Sequence, residues 1–493
     1  LKKRNKVIRK FLTYCLFLWC TVSNAQVYFA PGSDIGITSG AQVTVLNMDV
    51  ENRGDVDHAG DLEVVGSFQN EQTFTNDGAI VSRFALTGDW TNNAAFTSGI
   101  GLTVFDGTDQ TIQGSSNTNF YDLSLNGSAG NVKTLLTNGS VANTLNISDV
   151  QFDITDRNFN IMNCLVPISR VSGFISTDFD GRLQADFPSA VAGVREIPLG
   201  YVGPSGIEYR PVYVNDGQTG QYLFTLVGEN PSLYGMTSSE LDDSLCSVLD
   251  DFFYRIETVG NSLEYGLYRK PSEFEFTGLS RWTSNWTKWT GSGPIASLPT
   301  ENLGISPQGA NTSYFVIFGK EMPFVDAGPD ILITQIGQTV TIKGKGFIPT
   351  SANILWSPPD DLSCLSCLEP DYTSGIGGVY TINVDNGPGC VALDSMRILV
   401  VRDEIILPNA FSPNTDGLND FYQPFLFPNE RLVNFKIFNR WGEKVHDSDL
   451  GWDGNYMGTA VQPGVYTFIM RIEQKGMGFD KQIHKKGTIT LIR

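Results

Sequence analysis

Short runs in which apolar and polar residues alternate, broken by Gly, Asn, Asp and Pro corners, recur along nearly the whole chain, and long helical periodicity is almost absent. Between residues 26 and 185 the alternation repeats. Gly66-Ser67-Phe68-Gln69-Asn70 with Phe74 returns twenty-two residues later as Gly88-Asp89-Trp90-Thr91-Asn92 with Phe96. Val50-Glu51-Asn52 with Val56 fits the same template eighteen residues ahead of Phe68-Gln69-Asn70 with Phe74. Val104-Phe105-Asp106-Gly107, Gln110-Thr111-Ile112 and the run Phe120 to Leu125 continue it less regularly. A period near twenty predicts stacked coils of a β-solenoid, because one coil leaves its apolar face open until a neighbour covers it. A β-sandwich is the competing arrangement for 26–185.

From about Arg195 the pattern changes. Glu196 to Gly200, Tyr209 to Val214, Tyr222 to Val227 and Phe253 to Ile256 read as strands of a β-sandwich over 186–322. Within it, Leu241, Leu245, Val248, Leu249 and Phe252 follow Ser238-Ser239 at helical spacing and predict a short amphipathic helix. Trp282, Trp286 and Trp289 could form a platform for a ligand, since exposed indoles stack on sugars and anchor interfaces; a core strand with a turn explains them more simply. Residues 323–403 hold Asp326-Ala327-Gly328-Pro329-Asp330, Thr339 to Ile342, Ile354 to Pro358, Gly378 to Val384 and Gly389-Cys390 in order. This resembles an immunoglobulin-like or PKD-like domain, with Trp356 as the central core indole and Tyr380 on a late strand. Such domains mostly act as stalks.

The last part, 404–493, reads PNAFSPNTDGLND (Pro408 to Asp420), VNFKIFNRWGEKV (Val433 to Val445), WDG (Trp452 to Gly454), PGVYTF (Pro463 to Phe468) and a terminal GTITLIR. Val433, Phe435 and Ile437 alternate with polar residues, as do Tyr466, Phe468, Met470 and Ile472 with theirs, so a small β-sandwich ending on a paired strand is expected. Motif by motif the order resembles the type B C-terminal sorting domain of type IX secretion, also called the gliding-motility-associated C-terminal domain, of Bacteroidota. The resemblance implies an address and attachment element, recognised by the type IX translocon and a PorP/SprF-like outer-membrane protein. The residues carrying it are Asn409, Phe411, Pro413, Asp416, Gly417, Asn419 and Asp420 in the opening loop; Asn439, Arg440, Trp441 and Gly442 at the central turn; Trp452, Asp453 and Gly454; and Gly464, Val465 and Tyr466. Thr415 stands where that family favours Gly.

The other end agrees. Lys2, Lys3, Arg4, Lys6, Arg9 and Lys10 precede the apolar run Phe11 to Cys20 and Ser23-Asn24-Ala25, the pattern of a secretory signal peptide over 1–25 cleaved after Ala25. The apolar run is short for a bilayer core of about 30 Å, so no transmembrane anchor is expected.

The formal charge of −19 becomes −25 once the six leader cations leave. Residues 405–493 carry ten Lys/Arg against nine Asp/Glu, so the acidity lies in the body. That excludes nucleic acid as partner and suits an extracellular setting. Cys15 and Cys20 leave with the leader; of Cys164, Cys246, Cys364, Cys367 and Cys390, a disulfide among Cys364, Cys367 and Cys390 is expected, and Cys364-x-x-Cys367 lacks the further ligands of a zinc site. Ser412, Asn414, Asp416 and Asp420 place oxygens at the alternate positions of a calcium loop, but Ser412 and Gln423 stand where its first and last acids belong, which favours an Asx-rich turn without cofactor. The alternation Asp55, Asp57, Asp61, Glu63 reads as a solvated face. Three histidines and no nucleophile, zinc or phosphate motif give no catalytic residue. The expectation is an all-β, exported surface protein, an adhesin or structural element and not an enzyme, whose targets are extracellular polysaccharide or other cells; the alternative is a polysaccharide-binding or polysaccharide-degrading protein.

Overall fold

The computed structural model describes residues 26–76, 82–189, 193–215, 219–260, 264–289, 292–293, 299, 302–305, 313–373 and 375–493. The leader, 1–25, with its expected cleavage site lies outside them. Two compact units emerge: residues up to Asp242 with Val248–Gly319, and Asp243–Ser247 with Lys320–Arg493.

The first unit opens as a solenoid. Eight parallel strands, Gln26–Phe29, Asp49–Asn52, Phe68–Asn70, Trp90–Asn92, Gln110–Gln113, Val132–Leu135, Gln151–Asp153 and Phe174–Ser176, stack into one face. Gln42–Leu46 begins a second face that runs to Arg182–Phe187, and a short third face of four strands ends at Phe96–Thr97. The sequence template sets the stacking: Val50 pairs with Phe68, and Phe68 with Trp90, which in turn faces Ile112. Inside, Phe68 and Trp90 lie 5.4 Å apart and Phe74 and Phe96 stack at 5.7 Å. The recurring asparagine forms a buried amide ladder: Asn52 Nδ2 donates to Asn70 Oδ1 and Asn70 Nδ2 to Asn92 Oδ1, each at 2.9 Å. The other amide hydrogens reach carbonyls of the next corner, Thr73 and Ala95, at 3.1 Å. The amides of Asn52 and Asn70 thereby find protein partners.

The solenoid does not end on an open coil. Arg182–Phe187 pairs antiparallel with Gly220–Val227, and the same sheet continues through Phe253–Gly260, Ser313–Glu321, Gly278–Trp282 and Trp286–Lys288. A second, five-stranded sheet contains Val212–Asn215 and Glu264–Tyr268. The antiparallel extension caps the repeats, as solenoids require. The helix expected over 241–252 is not present: Leu245–Val248 is a strand paired to Ser313–Glu321, and Leu241 bridges Trp286. Leu245 and Val248 are buried because that pairing satisfies the backbone in extended form, so helical spacing of leucines was overridden by an available sheet edge.

The second unit holds two cores. Asn353–Ser357, Gly378–Asp385, Val391–Val400 and Ile331–Ile333 form a four-stranded sheet around Trp356, Tyr380, Ile382 and Met396. Trp356 is buried and its Nε1 donates to the Cys367 carbonyl at 2.9 Å. In the last domain Ala410–Phe411, Phe479–Leu491, Gly464–Gly476, Glu430–Phe438 and Lys444–Ser448 lie in that spatial order. The terminal strand is thus paired on both sides.

Candidate functional site

The motifs of the tail meet at one end of its fold. Phe411, Trp452 and Tyr466 form an aromatic floor, with Trp452 5.3 Å from Phe411 and 5.0 Å from Tyr466. Tyr422, which the sequence did not single out, completes it 5.8 Å from Phe411 and exchanges both backbone hydrogen bonds with Trp452. Above the floor, Gly454 sits at φ 76° with Pro413, Leu491 and Arg493 around it, and Arg493 Nη2 donates to the Gly454 carbonyl at 2.8 Å. A side chain at Gly454 would meet both the strained backbone and Pro413.

The opening loop is knitted by its own Asx side chains. Asp420 accepts from the Thr415 N–H at 2.7 Å and the Gly417 N–H at 2.9 Å. Asp416 accepts from the Leu418 N–H at 2.8 Å, which with Asn414 Nδ2 holds its carboxyl below the usual carboxylate range. Ser412 and Asn419 close the loop through a 3.0 Å backbone bond. Asparagine and aspartate turns of this kind need no ion. Among the described residues, no three His, Cys, Asp or Glu side chains gather to hold a metal.

At the central turn, Asn439 Oδ1 accepts from the N–H groups of Trp441 and Glu443, each at 3.0 Å, and Gly442 takes φ 79°. This presents Trp441 to solvent at 84 % exposure. Arg440, Trp441, Gly464, Val465 and Tyr466 line a hollow of about 210 Å³. Val465 is exposed while Tyr466 turns inward, its hydroxyl donating to the Gln462 carbonyl at 2.7 Å. Asp453 accepts from the Asn455 N–H at 3.0 Å, and the Asn409 carbonyl receives the Thr490 N–H. Arg440, Trp441 and Val465 are thus exposed around the hollow, while Phe411, Trp452 and Tyr466 are buried in the core.

Sequence reasoning missed a buried ion pair in this unit. Arg402 Nη2 and Nε reach Glu430 at 2.6 and 2.9 Å, with both side chains nearly inaccessible. Gln474 Nε2 donates to Glu430 Oε1 at 2.7 Å and to the Arg402 carbonyl at 3.0 Å. Burial opposes the carboxylate, but Arg402, the Phe427 N–H and Gln474 together hold its pKa below the usual range. Arg402 also stacks 4.0 Å from the Phe427 ring. These residues lie too far apart in the chain for any spacing rule to join them.

Outside the tail, Trp286 and Trp289 are buried, and Trp282 packs edge-on to Trp286 at 5.3 Å across a hairpin. That is core, not platform. Cys390 is bonded to Cys246 within the second unit and not to Cys364 or Cys367, which remain thiols. The reason is topological: the strand segment around Cys246 runs beside the loop carrying Cys390, with Cα atoms 5.3 Å apart.

A family model described as CHU_C type IX secretion signal domain matches residues 405–491. No curated protein matches the chain. Among solved structures, one described as the structural basis for Dscam isoform specificity aligns at 12% identity, covering 49% of this chain and 79% of that one, with a TM-score of 0.18. A protocadherin gammaB7 EC3-6 cis-dimer aligns at 9% identity over 62% of this chain and 91% of that one, TM-score 0.15. A tri-modular GH5 endo-beta-1,4-glucanase from Bacillus licheniformis aligns at 10% identity over 35% and 39%, TM-score 0.13.

Proposed function

We propose that this chain, which ends in a type IX secretion signal domain and is secreted to the cell surface or beyond, serves there as an adhesin or structural surface protein. The observation that carries the reading is the match over 405–491, on a domain whose motif residues converge on one end of the fold. The type IX machinery handles that domain; the finer partner in our reading is a PorP/SprF-like outer-membrane protein meeting Arg440 and Trp441. The body ahead of it acts by binding and not by catalysis. Its buried carboxylate Glu273 is clamped by Arg210 Nη1 at 2.7 Å, which suits a structural ion pair better than a general acid awaiting substrate.

Surface protease treatment of cells expressing the full chain or a truncation ending at residue 404 tests this. The full chain becomes protease-accessible and the truncation stays in the periplasm; equal surface display of both would remove the tail from its assigned role. Deleting the gene product should also reduce attachment of cells to surfaces or to one another, and unchanged attachment would leave export without adhesion.

A further inference from the structure

The polar outer face of the solenoid is not uniform. Where its long sheet reaches the capping strands, a groove of about 640 Å³ opens, a size typical of ligand sites. Its cause is local. Thr118–Leu125 and Gly139–Ile147 lose register between Phe120 and Asp122, and a bulge of this kind bends and twists the ladder. Gly139 contributes backbone to the lining.

Polar side chains line the groove in two rows across neighbouring strands. Asn119, Ser140, Asn160 and Gln184 are directly in register, one per rung. Rungs are spaced about 4.8 Å apart. Asn158 pairs with Arg182 in the second row, beside Asn138, whose Oδ1 accepts from the Asn158 N–H at 2.9 Å. The amides are held in fixed orientations: Asp186 accepts from Asn160 Nδ2 at 3.1 Å and from Gln184 Nε2 at 2.8 Å. Asn160 Oδ1 is itself buried, so the amides open to a ligand are those of the exposed Asn119 and Asn158.

The chemistry of that donor is constrained. Arg182 is the one charged residue of the lining, and its Nε is committed to Glu257 at 3.0 Å while Nη1 donates to the Gly181 carbonyl at 2.9 Å. Nothing there demands an anion. The groove lies on the face of a sheet whose strands are paired on both sides, so it offers no edge for a peptide strand. Leu223 and the half-exposed Met162 supply a modest apolar wall. Asn119 Oδ1 already accepts from Ser140 Oγ at 2.8 Å, which leaves its Nδ2 and the exposed amide of Asn158 to meet neighbouring hydroxyl groups, and a groove that crosses successive rungs suits a polymer. We infer that this groove binds a segment of a neutral, hydroxyl-rich glycan chain, with Asn119 and Asn158 as its contacts. The inference rests on the surface-binding reading above and names its ligand.

The test uses the full chain and calorimetric titration with cellohexaose, xylohexaose, laminarihexaose and yeast mannan, with polygalacturonate as the anionic control. At least one neutral glycan binds, and the exposed double variant Asn119→Ala/Asn158→Ala weakens it at least tenfold with an unchanged melting temperature. Asn158→Trp, which fills the groove without entering the core, gives the same loss, and Thr97→Ala on the third face gives none. Absence of binding by every neutral glycan, binding that the groove variants leave intact, or binding of polygalacturonate alone overturns the inference. Cell attachment separates the two claims. If deletion abolishes attachment and the groove variants do not, adhesion stands and the groove falls. If the variants abolish glycan binding while deletion leaves attachment unchanged, the groove stands and adhesion falls.

Discussion

Thr415 occupies the left-handed region at φ 65°, where a β-branched side chain crowds its own backbone. Its N–H is nonetheless bound by Asp420, so the loop over-determines the strain. Thr415→Asn should therefore stabilise the second unit by about 1 kcal/mol, read as a shift in the denaturation midpoint of the full chain; a loss would show that the hydroxyl contact to the Asn414 carbonyl matters more than the backbone. The opposite sign is expected at Glu430. Glu430→Ala leaves the buried Arg402 without its partner, and removal of one member of a buried pair costs about 3–5 kcal/mol. Because its carboxyl is held below the ordinary 4.5, the contribution is complete above that pH and is lost as the pH falls through the lower folded value. The contrast between the two residues explains what a sequence discloses. Thr415 stood out because it departs from the glycine of a contiguous family motif. Arg402, Glu430 and Gln474 did not, because their meeting depends on three strands arriving at one place.

Elements were legible where one residue type repeats in register. Asn52, Asn70 and Asn92 were visible as a period, and the fold makes of them a ladder in which each amide serves its neighbours. Asn70→Leu removes the acceptor of Asn52 and the donor to Asn92, leaving buried groups unpaired at about 1–3 kcal/mol each; a thermal melt of the full chain, losing the solenoid transition first, checks it. His58, buried one face away, donates from Nδ1 to Asn76 Oδ1 at 2.8 Å, and burial lowers its pKa despite the pull of Asp61 and Asp57. Its stabilising contribution is whole above pH 6.5 and drains as the pH falls through the folded value. The variant His58→Gln should flatten the pH dependence of the solenoid melt over that range, and an unchanged profile would mean another group sets it. Alternation misled only where a ladder is interrupted. Val433 was read as inward with Phe435 and Ile437, yet the register shifts between Leu432 and Asn434, so Leu432 is buried and Val433 becomes the extra residue of a bulge. Hydrophobic pattern carries phase but not the place where phase slips.

For the molecule as a whole, the sequence divided 26–185 from 186–322, whereas one sheet runs through both. Strand direction, parallel before Arg182–Phe187 and antiparallel after, is not written in apolar spacing, and so the continuity was invisible. At the other junction the truncation at residue 404 has a cost of its own: Arg402 keeps its place in the chain while Glu430 and Gln474 are removed. The truncated protein should show an intact first unit and a weakened Trp356 core, seen as a changed tryptophan melt. The bond between Cys246 and Cys390 spans 144 residues and belongs to the second unit, although Cys246 stands in sequence within the first. A protease that cuts once anywhere between these two cysteines therefore breaks the chain without parting it. Outside the cell, such a nicked molecule keeps its solenoid joined to its secretion domain until a reductant arrives, and it runs as two fragments only on a reducing gel.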